Sequence, residues 1–203
     1  RMNEVIDSLL LLASSSSEKV AASPLDMAQI VSEAQRDLSI MVKRRNASVS
    51  LPESWPAALG YGPWVRSVWS NYLSNALKYG GQPLRLELGG EEQADGMVCF
   101  WIRDHGPGLS EEQQTRLFTK LDRLEQLDKP GHGLGLAIVR RIVERMGGQV
   151  GVESQPGEGC TFWFTLPAEE SPASAANAGR RVQFLHQNVP ASGNVRTHQL
   201  LTR

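Results

Sequence analysis

The chain has little of several features that mark whole classes of protein. It has two cysteines in 203 residues, Cys99 and Cys160, which excludes a small fold held by several disulfides and favours a reducing compartment. Lysine and arginine total 21 against 22 acidic residues, and a net charge of −1 argues against a nucleic-acid partner or an acidic membrane surface. The longest apolar run, residues 97–102, is far shorter than the about 20 residues of a membrane span. No signal-peptide pattern opens the chain.

The remaining composition is that of a globular protein with one main domain. Hydrophobic residues make up 40% and charged residues 21%, both ordinary values. Periodicity predicts a helix end at 1–13, a serine-rich linker at 14–23 and a domain over 24–167. Residues 168–203 hold few apolar side chains, so we expect a disordered tail there. Because the chain opens at Arg1, we expect it to be part of a longer protein.

The hydrophobic pattern within the domain alternates between helical and strand periods. Helical spacing predicts helices at 24–45, 63–79, 111–117 and 134–146. Alternating or short apolar runs predict strands near 49–51, 84–88, 97–102, 150–153 and 161–166, and the charged, glycine-containing stretch 119–133 predicts a loop. We therefore predict an α/β (α+β) two-layer sandwich, with a mixed sheet of about five strands covered on one face by helices.

A first polar cluster lies on the helix predicted at 63–79. Asn71, Asn75 and Lys78 are spaced i, i+4 and i+7 and share one face, whereas apolar residues line the other. Amide oxygens are suitable ligands for Mg²⁺, and a lysine supplies a point charge for phosphate. Taken alone, the stripe is more typical of a solvated helix face.

A second cluster follows the predicted strand at 97–102. Asp104 stands at its end, and Gly106 and Gly108 follow. An aspartate there can accept a hydrogen bond from a ligand amino group, while glycines let a flat ring approach the backbone. An ordinary Asp-Gly turn would have the same sequence.

A third cluster opens the helix predicted at 134–146. Gly131, Gly133 and Gly135 alternate with His132 and Leu134. Free amides at a helix N-terminus bind anions, and glycine lets a phosphate come close. A loop rather than a strand precedes this run, which argues against a dinucleotide-binding fingerprint.

In their order and spacing, the three clusters resemble the ATP-binding catalytic domain of sensor histidine kinases, in the gyrase and histidine-kinase ATPase superfamily. The resemblance implies a Bergerat-type fold over 24–167, and a dimerisation and phosphoacceptor helix ending at 1–13. It also implies Mg²⁺ at Asn75 with Asn71 assisting, and Asp104 as acceptor for the adenine amino group. The remaining nucleotide contacts that it implies are Lys78, Tyr79, Gly106, Gly108, Phe118 as anchor of a lid, Gly131, His132, Gly133, Leu134, Gly135 and Thr161.

The same resemblance implies phosphoryl transfer as the activity. Asn71, Asn75 and Lys78 would be the catalytic residues, and the γ-phosphate of ATP would pass to a histidine and then to an aspartate of a response-regulator receiver domain. Related ATPases that activate water carry a glutamate where Asn71 stands, and an amide cannot act as a general base. None of the four histidines precedes the domain, so we expect the acceptor on the protein's own upstream helix domain. A cytoplasmic location and a homodimer are expected, and membrane anchoring of the complete protein stays open.

Two other functions are compatible with the sequence. A degenerate nucleotide-binding or scaffold module would keep the fold without kinase activity, and Mg²⁺-dependent ATP affinity separates it from a kinase. An ATP-driven conformational clamp like the gyrase group would hydrolyse ATP steadily. The intact clusters argue against the first alternative, and Asn71 together with the short chain argues against the second.

Overall fold

A computed structural model of the protein describes residues 21–122 and 134–169. Within these ranges the helices are α1 (Met27–Asp37), α2 (Ser39–Arg45), α3 (Gly62–Tyr79), α4 (Glu111–Asp122) and α5 (Leu134–Arg145). The strands are β1 (Ser23–Pro24), β2 (Ser48–Ser50), β3 (Leu59–Gly60), β4 (Arg85–Glu92), β5 (Met97–Asp104), β6 (Val150–Ser154) and β7 (Cys160–Pro167). None of these helices is long and apolar enough to cross a membrane.

Five of the strands form one mixed sheet in the order β2-β4-β5-β7-β6. The β2–β4 pair is parallel and the other pairs are antiparallel. Strands β1 and β3 pair separately. Buried side chains of α1, α3 and α5 form one apolar cluster with one face of this sheet, which confirms the predicted two-layer architecture.

Helix α3 is fixed to the sheet by its aromatic side chains. Trp69 meets Phe164 edge to face with ring centroids 5.4 Å apart, and Phe100 packs against Phe164 at the same separation. The Tyr72 hydroxyl donates a hydrogen bond to the Trp163 carbonyl at 3.0 Å, which satisfies a polar atom that would otherwise be costly to bury. Because the aromatic face of α3 packs in the core, the polar face that carries Asn71 and Asn75 points away from the core.

Two tryptophans pack on the opposite face of the sheet. Trp101 and Trp163 are directly paired across β5 and β7, and each has a glycine as its other neighbour, Gly89 and Gly151 respectively. A Cβ at either glycine would collide with the adjacent indole ring. The glycines therefore make room for the rings in this row.

Several elements differ from the predicted ones. The strand predicted at 84–88 extends to Glu92, β1 begins inside the linker predicted at 14–23, and β3 has no predicted counterpart. The helix predicted at 24–45 begins only after Asp26, whose carboxylate accepts from the Gln29 amide at 2.9 Å, and it is interrupted at Leu38, where the backbone leaves helical geometry. Helix α4 extends to Asp122, so the first residues of the loop predicted at 119–133 are helical. Backbone pairing continues past residue 167, because Ala168 donates to the Gly96 carbonyl and Glu169 to the Ala57 carbonyl. The helix end predicted at 1–13, residues 14–20 of the linker predicted at 14–23, and residues 170–203 of the predicted tail lie outside the described residues.

Candidate functional site

The first polar cluster occupies the C-terminal half of α3. Asn71 and Asn75 are half-buried and one turn apart, whereas Lys78 is exposed. Tyr79, the last residue of the helix, is 68% exposed, a large value for an aromatic side chain. The helix thus presents two amides, one ammonium group and one aromatic ring outside the core.

The start of α5 lies directly against Asn71. A Cβ on Gly135 would collide with the Asn71 amide oxygen and would lie 3.4 Å from its Cγ. The Asn71 Nδ2 atom donates to the Ser67 carbonyl at 2.9 Å, and this bond orients the amide. The oxygen of Asn71 therefore faces the first turn of α5, where backbone amides have no partner within the helix.

Asp104 is a buried carboxylate at the end of β5, with 5% of its surface exposed. Its Oδ1 accepts from the Gly106 amide at 2.9 Å, and the Cys160 amide also donates to the carboxylate. Burial raises the pKa of Asp104 above its ordinary value, although these two hydrogen bonds and the nearby His105 oppose the rise. Burying a charged carboxylate is energetically unfavourable, and a buried carboxylate with a raised pKa is typical of a ligand-binding position.

The end of α3 and the loop after β5 pack together through glycines. A Cβ on Gly80 would lie 3.0 Å from the Asp104 Cβ, and one on Gly81 would lie 2.9 Å from the Gly106 Cα. This contact places the C-terminal end of α3, which carries Lys78 and Tyr79, next to the loop that begins at Asp104. The first and second polar clusters therefore lie at one site.

The loop after β5 is also hydrogen-bonded to the end of β6 and to the turn between β6 and β7. The Gly157 amide donates to the Pro107 carbonyl at 2.8 Å, and the Leu109 amide donates to the Ser154 hydroxyl at 2.7 Å. Gly108 has a positive φ of 67°, and a Cβ there would collide with the Gln155 carbonyl, so only glycine fits. The loop that holds Asp104 and Gly106 is thus supported from its far side.

Among the described residues, Thr161 does not lie beside Asp104, the predicted site residue at the end of β5. It is paired with Arg103, whereas Cys160 is paired with Asp104. Side chains directly opposite each other share a face of the sheet and successive ones alternate, so Cys160 lies beside Asp104 and Thr161 lies on the other face. Cys160 was not among the predicted site residues, because only the register between β5 and β7 shows that it lies beside Asp104.

Several predicted contacts cannot be placed. Gly131, His132 and Gly133 lie outside the described residues, between α4 and α5. Phe118 and Leu134 belong to helices α4 and α5, but their side chains are not among those described. Of the third cluster, the structure therefore places only Gly135 and the helix N-terminus that it belongs to.

The side chains at this site offer few oxygen ligands for a metal ion. They suit a hard cation only if phosphate oxygens complete its coordination. Among the described residues no group of three or more histidine, cysteine or carboxylate side chains could hold a metal ion. The amide oxygens of Asn71 and Asn75 are oxygen ligands of the type that Mg²⁺ accepts, and Mg²⁺ is commonly held by few protein ligands together with substrate phosphates. The residues present therefore fit a Mg²⁺ ion that arrives with a nucleotide.

Comparisons with known proteins identify the family of the domain. Residues 60–170 match the family model described as "Histidine kinase-, DNA gyrase B-, and HSP90-like ATPase". The chain is 35% identical over 173 residues to the adaptive-response sensory kinase SasA of Thermosynechococcus vestitus, which covers 82% of this chain and 45% of that protein.

Solved structures show the same fold. Full-length ShkA in complex with AMPPNP superposes with a TM-score of 0.67 at 26% identity, over 84% of this chain and 36% of that one. The nucleotide-free catalytic domain of the histidine kinase ThkA gives a TM-score of 0.61 at 19% identity, over 73% of this chain and 97% of that one, and shows likeness of fold alone. The chain spans less than half the length of SasA or ShkA.

Proposed function

The chain belongs to the family of histidine kinase-, DNA gyrase B- and HSP90-like ATPases, with a catalytic domain of the histidine kinase type, and we propose that the domain binds Mg-ATP and transfers the γ-phosphoryl group to a histidine. The observation that carries this proposal is the convergence of three segments. The polar face of α3, the buried Asp104 and the N-terminus of α5 meet at one site, with Asn71 in contact with Gly135.

Each segment supports one part of nucleotide binding. Asp104 is a buried acceptor suited to the exocyclic amino group of adenine, and the exposed ring of Tyr79 is suited to cover the base. The backbone amides at the start of α5, which have no acceptor within the helix, suit the phosphates, and Lys78 would add a positive charge. Phe118, Gly131, His132, Gly133 and Leu134 are proposed as further nucleotide contacts on the strength of the resemblance alone, and Gly106 and Gly108 shape the base pocket.

We propose that Asn75, assisted by Asn71, holds the metal ion through its amide oxygen. The ion would neutralise charge on the phosphates, and the protein residues would position them. Lys78 would stabilise the charge that develops on the transferred group, so that catalysis rests on positioning and electrostatics.

The chemistry of Asn71 favours transfer to a protein side chain over hydrolysis. An amide cannot take a proton from water at neutral pH, so the site has no general base at this position. The acceptor histidine would belong to a helical segment of the complete protein, and 1–13 would be the end of that segment. We further propose a homodimer, a response-regulator receiver domain as the next phosphate acceptor, and a cytoplasmic location, where ATP is available.

Calorimetry with Mg-ATP tests the proposed metal site. Asn75→Ala removes the amide oxygen while keeping a strong helix former, so we expect Mg²⁺ to lose its effect on ATP affinity. Ser74→Ala, a matched change on the neighbouring residue of the same helix, should leave the affinity and its Mg²⁺ dependence unchanged. An Asn75→Ala protein that binds Mg-ATP like the parent would refute the assignment.

A further inference from the structure

Ser154, the last residue of β6, joins three segments behind the proposed base pocket. Its hydroxyl oxygen accepts from the Leu109 amide at 2.7 Å and donates to the Gly159 carbonyl at 2.7 Å. The Cys160 sulfur lies 3.2 Å from the same oxygen. One hydroxyl therefore connects the loop after β5, the turn after β6 and the start of β7.

The hydrogen bonds of the Ser154 hydroxyl determine the direction of the Cys160 S–H bond. A serine hydroxyl has one hydrogen, and that of Ser154 is committed to the Gly159 carbonyl. In the contact between Ser154 and Cys160 the thiol must therefore be the donor. Burial raises the pKa of Cys160 above its ordinary value; the contact with Ser154 opposes the rise and the negative charge of Asp104 adds to it, so the thiol keeps its proton at neutral pH.

Because the S–H bond points toward Ser154, the Cys160 sulfur can only accept hydrogen bonds from its other neighbours. Cys160 is the register partner of Asp104, its side chain is on the same face of the sheet, and its backbone amide donates to the Asp104 carboxylate. The register thus places a carboxylate and a sulfur next to each other on one face of the sheet, and both can accept hydrogen bonds. A base edge that carries an amino group complements this pair, and a carbonyl oxygen at the same place does not.

We propose that Ser154 is a positioning residue for base selectivity, because it holds the Cys160 S–H away from Asp104 and so keeps that end of the pocket free of competing donors. The inference rests on the proposed nucleotide function and deepens it. Without the Ser154 hydroxyl, the thiol proton turns toward Asp104, the adjacent charged acceptor. It then competes with the amino group of the base for the carboxylate.

The test measures the dissociation constants of Mg-ATP, Mg-GTP and the Mg-triphosphate of purine riboside, which lacks the amino group, together with the melting temperature. We expect Ser154→Ala to reduce the preference for ATP over each of the other two by about fivefold, the worth of one modest hydrogen bond. Ser154→Thr keeps the hydroxyl and should retain the preference. An unchanged preference in Ser154→Ala, with or without a lower melting temperature, would overturn the inference and leave a purely structural role.

A second set of variants keeps the test independent of the folding of Ser154→Ala. Cys160→Ala removes the thiol, so Ser154→Ala should reduce the preference for ATP less in a Cys160→Ala background than in the parent. Cys160→Ser retains a donor to Ser154 and should keep the preference, whereas Cys160→Ala alone should lower it. Cys99→Ala is the matched control, since Cys99 is also a buried free cysteine but faces the other side of the sheet. Equal preferences in the Cys160→Ala and Cys99→Ala proteins would refute the inference. A parent protein that binds no ATP would instead refute the proposed function.

Discussion

Asn71 and Gly135 lie in direct contact, so that no side chain on Gly135 fits beside the Asn71 amide oxygen. They are 64 positions apart in the numbering (135 − 71), and the contact joins the polar face of α3 to the first turn of α5. The Asn71 amide nitrogen is tied to its own helix through the Ser67 carbonyl. The oxygen is therefore held at the place where the proposed phosphates and metal ion would meet.

Gly135→Ala should separate function from stability. Alanine is a better helix former than glycine by about 1 kcal/mol, so the melting temperature should not fall. The new methyl group displaces the Asn71 oxygen, and we expect Mg-ATP affinity to fall by about tenfold, equivalent to roughly 1.4 kcal/mol. Gly62→Ala at the start of α3 is the control, because its Cβ meets only Ile30 at 3.9 Å. Equal affinities in the two variants would contradict the proposed site.

Asp104→Asn keeps the shape of the side chain but replaces part of the acceptor with a donor. An unmet buried hydrogen bond costs about 1–3 kcal/mol, so ATP affinity should fall roughly 5- to 150-fold and the preference over GTP should shrink. The substitution also removes a buried charge, so the melting temperature at neutral pH should not decrease. An unaltered ATP preference would place the base elsewhere.

The raised pKa of Asp104 also predicts a pH dependence. In the unfolded chain this carboxyl keeps its ordinary, lower pKa, so between the two values the folded state binds more protons and stability falls as pH rises. ATP binding has the opposite dependence, because it needs the carboxylate and weakens as acid protonates Asp104. Calorimetry across the acidic range should show this loss in the parent protein and not in Asp104→Asn. Parallel pH profiles would contradict the role of Asp104.

Two truncations locate the C-terminal end of the folded domain. A chain that ends at Glu169 keeps the backbone hydrogen bonds from Ala168 to Gly96 and from Glu169 to Ala57. We expect its melting temperature to equal that of the full chain, whereas a chain that ends at Pro167 loses both bonds and should melt several degrees lower. A clear loss of stability on removing 170–203 alone would show that this segment contributes to the fold.

The sequence predicts most of the fold because its hydrophobic periods are strong. Residues 97–102 form a continuous apolar run, and the apolar face of 63–79 is regular, so both elements appear as predicted. The break at Leu38 escaped prediction because the apolar spacing continues through it. Cys160 was not predicted as a site residue for a different reason. Only the pairing of β5 with β7 shows that Cys160, and not Thr161, lies beside Asp104.

The most direct test of the central claim is phosphoryl transfer from labelled ATP. The chain is incubated with γ-labelled Mg-ATP, alone and with a separate fragment of the complete protein that carries the upstream helix and its histidine. We predict acid-labile label on the fragment and none on the chain, at a low rate because the two pieces are not tethered. Label on the chain alone, or an unlabelled fragment at high concentration while the complete protein labels itself, would contradict the account.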